Sequence, residues 1–171
     1  MKKRLCIFAS GNGTNMQAIL DDIDSGKING EVVLLITSAK NTGAEERAKK
    51  RNIPVRVFLL KDYSNAEKRD KDIIQTLDQY SIDYIILAGY LGILTKELIL
   101  KYPNRIINIH PALLPKFGGK GMYGINVHKA VIAAGEEYSG ATVHFVDEGT
   151  DTGEIILQEK LKVNDDDDEF S

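Results

Sequence analysis

A chain of 171 residues has the length of one ordinary domain, and its 43% hydrophobic and 27% charged residues fit a globular protein better than a fibre or a disordered tail. A formal net charge of -3 offers no broad cationic surface, so neither nucleic acid nor a membrane is expected as a partner. The single Cys6 cannot close an internal disulfide and lies in an apolar run, which reads as a packed small side chain in a reducing, cytoplasmic setting.

Met1-Lys2-Lys3-Arg4 looks like the start of a signal peptide, but the apolar run behind it stops at Ser10-Gly11. It reads instead as the lead into a strand. Short apolar runs predict strands at Leu5 to Ala9, Val32 to Thr37, Val55 to Leu59, Tyr84 to Ala88 and Ile106 to Ile109. Helical patterns lie between them. Ser25-Gly26 ends the first helix, and Thr42 with Glu45, like Ser64 with Glu67, has the spacing of a capping box that starts one. From Asn65 to Gln79 the apolar residues Ile73, Ile74 and Leu77 share one side. Strands buried on both faces and separated by helices imply an α/β fold with a Rossmann-like, doubly wound, mostly parallel sheet.

After His110 the pattern changes. Pro111, Pro115 and glycines 118, 119, 121 and 124 predict a long loop, followed by a helix from Val127 to Ala134. Gly140 to Val146 and Ile155 to Val163 then read as two strands, expected to pair antiparallel at the sheet edge.

Two stretches carry chemistry. Ser10 to Asn15 follows the first strand and opens the first helix, where unpaired N–H groups and the helix dipole favour an anion, so Gly11, Asn12, Gly13, Thr14 and Asn15 are the expected phosphate contacts. Met16 replaces the third glycine of a dinucleotide fingerprint, and no Gly-Lys-Ser/Thr follows as in a P-loop. In the second stretch, Asn108 and His110 stand two apart on a strand and share a face, and Pro111 ends the ladder. An amide donating to an oxyanion, an imidazole exchanging a proton and a carboxylate such as Asp151 to orient that imidazole suit acyl transfer. His128 reads as a surface residue, and His144 as a buried hydrogen-bonding partner in the site's wall. Three His and one Cys without close spacing predict no metal site. Asp165 to Asp168 reads as a solvated run.

Four stretches, Gly11 to Gln17, Leu87 to Leu94, Asn108 to Pro115 and Gly140 to Val146 followed by Asp151 to Gln158, occur in the order found in the folate-dependent formyltransferases. On them the chain closely resembles the phosphoribosylglycinamide formyltransferases, or GAR transformylases, of purine synthesis. The resemblance implies a single formyltransferase domain over 1–171, transfer of the formyl group of 10-formyltetrahydrofolate to the amine of glycinamide ribonucleotide, and no metal. It makes Asn108, His110 and Asp151 catalytic and places the ribonucleotide phosphate on Gly11 to Asn15. Leu91 to Leu94, including Gly92, with the turn at Asp147 to Asp151 would hold the pterin. Leu87, Tyr90, Ile93, Leu94, Ile106 and Val146 would wall it, with Asn108 nearby. Monomer and homodimer stay open. A formyltetrahydrofolate hydrolase-like enzyme and a non-catalytic phosphate-ligand binding module are the alternatives.

Three departures from that family stand out. Gly92 stands where many relatives carry Arg or Lys, and Ala66 takes the place of a helix-start Arg thought to touch ligand, for which Arg69 is the expected substitute. Relatives also continue past the acidic run into a C-terminal helix, which the chain is expected to lack.

Overall fold

Strand β1 (Lys3–Ala9) organises the first half of the chain because both of its faces are buried. Ile7 and Ala9 point one way and Cys6 and Phe8 the other, and none of the four has exposed surface. Fully burying a side chain such as Ile or Phe contributes about 1.5–3 kcal/mol, which makes such a strand the natural centre of a sheet. It pairs in parallel with β2 (Gly30–Thr37) and β4 (Tyr84–Leu87), and β2 pairs in parallel with β3 (Val55–Val57). The order is β3-β2-β1-β4. The computed structural model describes residues 1–170, and the chain forms two compact units that divide between Ile106 and Ile107.

In the first unit, helices α1 (Thr14–Asp24), α2 (Gly43–Lys50), α3 (Ala66–Gln79) and α4 (Lys96–Lys101) accompany the strands. Met16 and Leu20 of α1 and Ala44 and Ala48 of α2 pack with Ile7, Ala9 and Leu35. The stripe Ile73, Ile74 and Leu77 of α3 is buried, as its spacing predicts. Thr42 caps α2 with a complete capping box: its Oγ1 accepts from the Glu45 N–H, and Glu45 Oε1 accepts from the Thr42 N–H, both at 3.2 Å. At α3 the cap is Asn65, not Ser64. Its Oδ1 accepts from the Lys68 N–H at 2.9 Å, so the helix starts one residue later and Glu67 falls short of the box position. Helix α4 was not legible because its six residues hold one continuous apolar run, of which only Leu98 is buried. Strand β3 stops at Val57 rather than Leu59, where the chain turns into a 3-10 segment at Leu60–Asp62.

The second unit carries the end of β5 (Ile106–His110), then α5 (Ile125–Ala133), β6 (Tyr138–Phe145) and β7 (Ile155–Lys162). β6 pairs antiparallel with both β5 and β7. The α/β expectation of parallel strands first and an antiparallel set near the C-terminus is thus the arrangement formed. Every residue of β7, the strand expected at the sheet edge, is exposed. Among the described residues no helix is long and apolar enough to cross a membrane.

Candidate active site

The antiparallel register sets Asn108 opposite His144 and His110 opposite Thr142. Side chains directly opposite on one face are close neighbours, so the register alone brings an amide to an imidazole. Asn108 Nδ2 lies 3.1 Å from His144 Nε2. Asp151 follows β6 in a turn and stands between the two rings, with Oδ1 3.6 Å from His144 Nε2 and Oδ2 3.6 Å from His110 Nδ1. Both imidazoles are buried, and the Asp151 side chain is 11% exposed. Asp151 Oδ2 also accepts from the Gly119 N–H at 3.0 Å.

Each ring has one nitrogen committed to a carbonyl. His110 Nε2–H donates to the Phe117 oxygen at 2.8 Å, and His144 Nδ1–H donates to the Phe145 oxygen at 2.8 Å. A carbonyl only accepts, so in each neutral ring the other nitrogen bears a lone pair that faces the Asp151 carboxylate, and a second proton there turns that contact into attraction. Burial opposes charge on His144, but its bond to Asp151, the Phe145 carbonyl and the negative Asp151 and Asp147 outweigh it and raise its pKa. Burial likewise works against the Asp151 anion. The bonds from His144 and the Gly119 N–H and the positive His110 and His144 prevail, and its pKa is lowered. The site is one carboxylate shared by two imidazoles, with an amide donor on the second.

The loop after β5 is fixed from behind. Thr142 Oγ1 accepts from the Leu114 N–H at 3.1 Å and donates to the Ala112 oxygen at 2.6 Å, while Gln158 Nε2 donates to the Leu114 oxygen at 2.8 Å. Asp147 closes the following turn by accepting from the Gly149 N–H and the Thr152 hydroxyl. Val146 is half-buried and Asp147 exposed. His128 lies on α5, half-buried. The contributions of Phe117, Gly119 and Thr142 were not legible in the sequence; the run of glycines after Pro115 was their only signal.

In the first unit, Gly11 to Asn15 leads into α1 without a side-chain cap, which leaves the first N–H groups of the helix unpaired by it. Gly11, Asn12, Thr14 and Asn15 are exposed. Gly13 has φ 71° and must be glycine, because a Cβ there would stand 2.7 Å from the Ala44 Cα. Arg47 Nε donates to the Asn12 oxygen at 3.0 Å and adds positive charge beside the loop, a contribution that its position in α2 did not announce.

The Gly89 to Thr95 segment is anchored where Ser10 Oγ accepts from the Leu91 N–H at 3.0 Å. Leu91 and Ile93 are 66% and 86% exposed, Leu94 is half-buried, and Leu87 and Ile106 are buried. Tyr90 packs edge-on against Phe8 with ring centroids 5.1 Å apart, and burial pushes its hydroxyl up to about 12. A Cβ on Gly92 would meet that ring at 2.5 Å, so the tyrosine fills the space a longer side chain would cross. Arg69 is buried on α3. Its guanidinium contacts Asp70 and donates to the Ile93 oxygen, so the side chain is spent inside the protein.

The chain belongs to the formyl transferase family, whose model matches residues 3–171. It is 46% identical over 166 residues to the chloroplastic phosphoribosylglycinamide formyltransferase of Arabidopsis thaliana, covering 95% of this chain and 56% of that one. To the phosphoribosylglycinamide formyltransferase of Haemophilus influenzae it is 39% identical over 161 residues, covering 94% and 74%. Among solved structures, that of phosphoribosylglycinamide formyltransferase from Bacillus halodurans superposes with a TM-score of 0.92 at 39% identity, over 98% of this chain and 84% of the other. The chain spans about half the length of the plant relatives it matches.

Proposed function

We propose that the chain transfers the formyl group of 10-formyltetrahydrofolate to the amine of glycinamide ribonucleotide in de novo purine (IMP) synthesis. The observation that carries this is the Asp151 carboxylate held between His110 and His144, 3.6 Å from each, with Asn108 on the second ring. The substrate amine attacks the formyl carbon, a C–N bond forms, and the carbonyl oxygen becomes an oxyanion. Asn108 Nδ2 and the protonated His110 ring donate to that oxyanion. For this His110 gives up the Phe117 carbonyl, the acceptor its Nε2–H now serves. Asp151 holds the charged imidazole in place. As the intermediate collapses the C–N10 bond breaks, and the proton lost by the attacking amine goes to N10, giving tetrahydrofolate.

Gly11 to Asn15 bind the ribonucleotide phosphate at the uncapped start of α1, with Arg47 adding charge. Leu91 to Leu94 supply backbone and apolar contacts to the pterin. Mixing the chain with 10-formyltetrahydrofolate, with and without glycinamide ribonucleotide, tests this. Tetrahydrofolate release only when the ribonucleotide is present is the expected result. Equal release without it marks a hydrolase, no release marks a binding module, and either outcome overturns the proposal.

A further inference from the structure

The Gly89 to Thr95 segment shows two large apolar side chains to solvent, with Leu91 66% and Ile93 86% exposed, yet its backbone is held from inside the unit. Arg69 Nη2 donates to the Ile93 oxygen at 2.6 Å, and its Nε donates to Asp70 Oδ1 at 2.7 Å. Asp70 Oδ2 accepts from the Thr95 N–H at 2.7 Å. Two consecutive side chains of α3, 2% and 1% exposed, thus take the carbonyl before Leu94 and the N–H after it. The same segment contains both buried side-chain oxygens without a partner found among the described residues, Tyr90 Oη and Thr95 Oγ1.

A buried ion pair returns little net stability, because desolvating both charges offsets their attraction; what it fixes well is direction. We infer that Arg69 and Asp70 are positioning residues that lock the Gly89 to Thr95 backbone in the form that presents Leu91 and Ile93, and so set the affinity for the folate co-substrate. This rests on the proposed role of Leu91 to Leu94 as pterin contacts. Arg69 then acts through the Ile93 carbonyl and touches no ligand, which differs from the direct contact its sequence position suggests.

The test is the paired variant Arg69→Met/Asp70→Asn, which removes both charges together and leaves neither buried alone. Because a binding loop shifted by about 1 Å costs up to a hundredfold, the KM for 10-formyltetrahydrofolate should rise about tenfold or more. If the loop binds ground state and transition state alike, kcat and the KM for glycinamide ribonucleotide stay within about twofold. The Thr95 amide loses part of its hydrogen-exchange protection in parallel, because the neutral Asn oxygen is a weaker acceptor than the carboxylate. Arg69→Lys keeps a charge but offers a single donor direction, and should give the same split at smaller size. A wild-type folate KM in the folded paired variant overturns the inference, as does a KM for glycinamide ribonucleotide that rises as much as the folate KM, which general loosening of a merely structural pair would give. The wild-type chain is the control: if it does not turn over 10-formyltetrahydrofolate, the proposed function is what has failed.

Discussion

Asn108→Ala lowers turnover about a hundredfold to a thousandfold, the usual loss when one oxyanion donor is removed, equivalent to about 2.7–4 kcal/mol in the transition state. Its effect on folding is smaller. In the resting protein the Asn108 side chain hydrogen-bonds His144 Nε2 at 3.1 Å, and a neutral bond of that kind returns about 0.5–1.5 kcal/mol. His144 also keeps Asp151 as a second partner. Urea unfolding and steady-state kinetics on the same preparation separate the two effects. Normal stability with unimpaired turnover removes Asn108 from the mechanism.

Asp151→Asn acts on both rings at once. The carboxamide keeps the size of the side chain and an oxygen for the Gly119 N–H, but the charge that faces His110 and His144 is gone. A positioned acid or base contributes about a hundredfold to ten-thousandfold, and turnover should fall within that range. The same variant changes how stability follows pH. Asp151 has a lowered folded pKa, so it contributes stability above its unfolded value, and the contribution is lost as pH falls through the folded one. His144 has a raised folded pKa. Its contribution is complete below the unfolded value and disappears as pH rises through the folded one. Wild-type stability should therefore fall on both sides of an intermediate window. Unfolding free energies from about pH 3 to 9 should show both limbs flattened in Asp151→Asn. Parallel curves for the two proteins would mean that the ion pairing around Asp151 contributes nothing.

The parallel half of the fold could be read in advance because β1, β2 and β4 each hold an uninterrupted apolar run, and few structures other than a helix-covered sheet bury such runs on both faces. Local signals were less decisive. Two segments with capping-box spacing had different outcomes: Thr42 caps its helix, while at α3 the neighbouring Asn65 takes the cap in place of Ser64. β7 was legible as a strand at the sheet edge, but no sequence pattern states what covers an edge, and every residue of it is exposed.

Within the site, alternation along β5 was enough to place Asn108 and His110 on one face. The pairing of Asn108 with His144 depends on the register between β5 and β6, a long-range property set 36 residues apart. For that reason His144 was legible only as a buried partner, although it shares Asp151 equally with His110. Arg69 shows the converse. From the sequence it is a candidate ligand contact, and only the buried Asp70 beside it and the Ile93 carbonyl reveal where its guanidinium is spent.

The most direct measurement is a crystal structure of the chain with 10-formyltetrahydrofolate and an analogue of glycinamide ribonucleotide whose amine is replaced by hydroxyl. The formyl oxygen should lie about 2.7–3.1 Å from Asn108 Nδ2 and from a ring nitrogen of His110, with that ring released from the Phe117 carbonyl. A formyl group turned away from both side chains, with Asn108 still on His144 and His110 still on Phe117, would contradict the account.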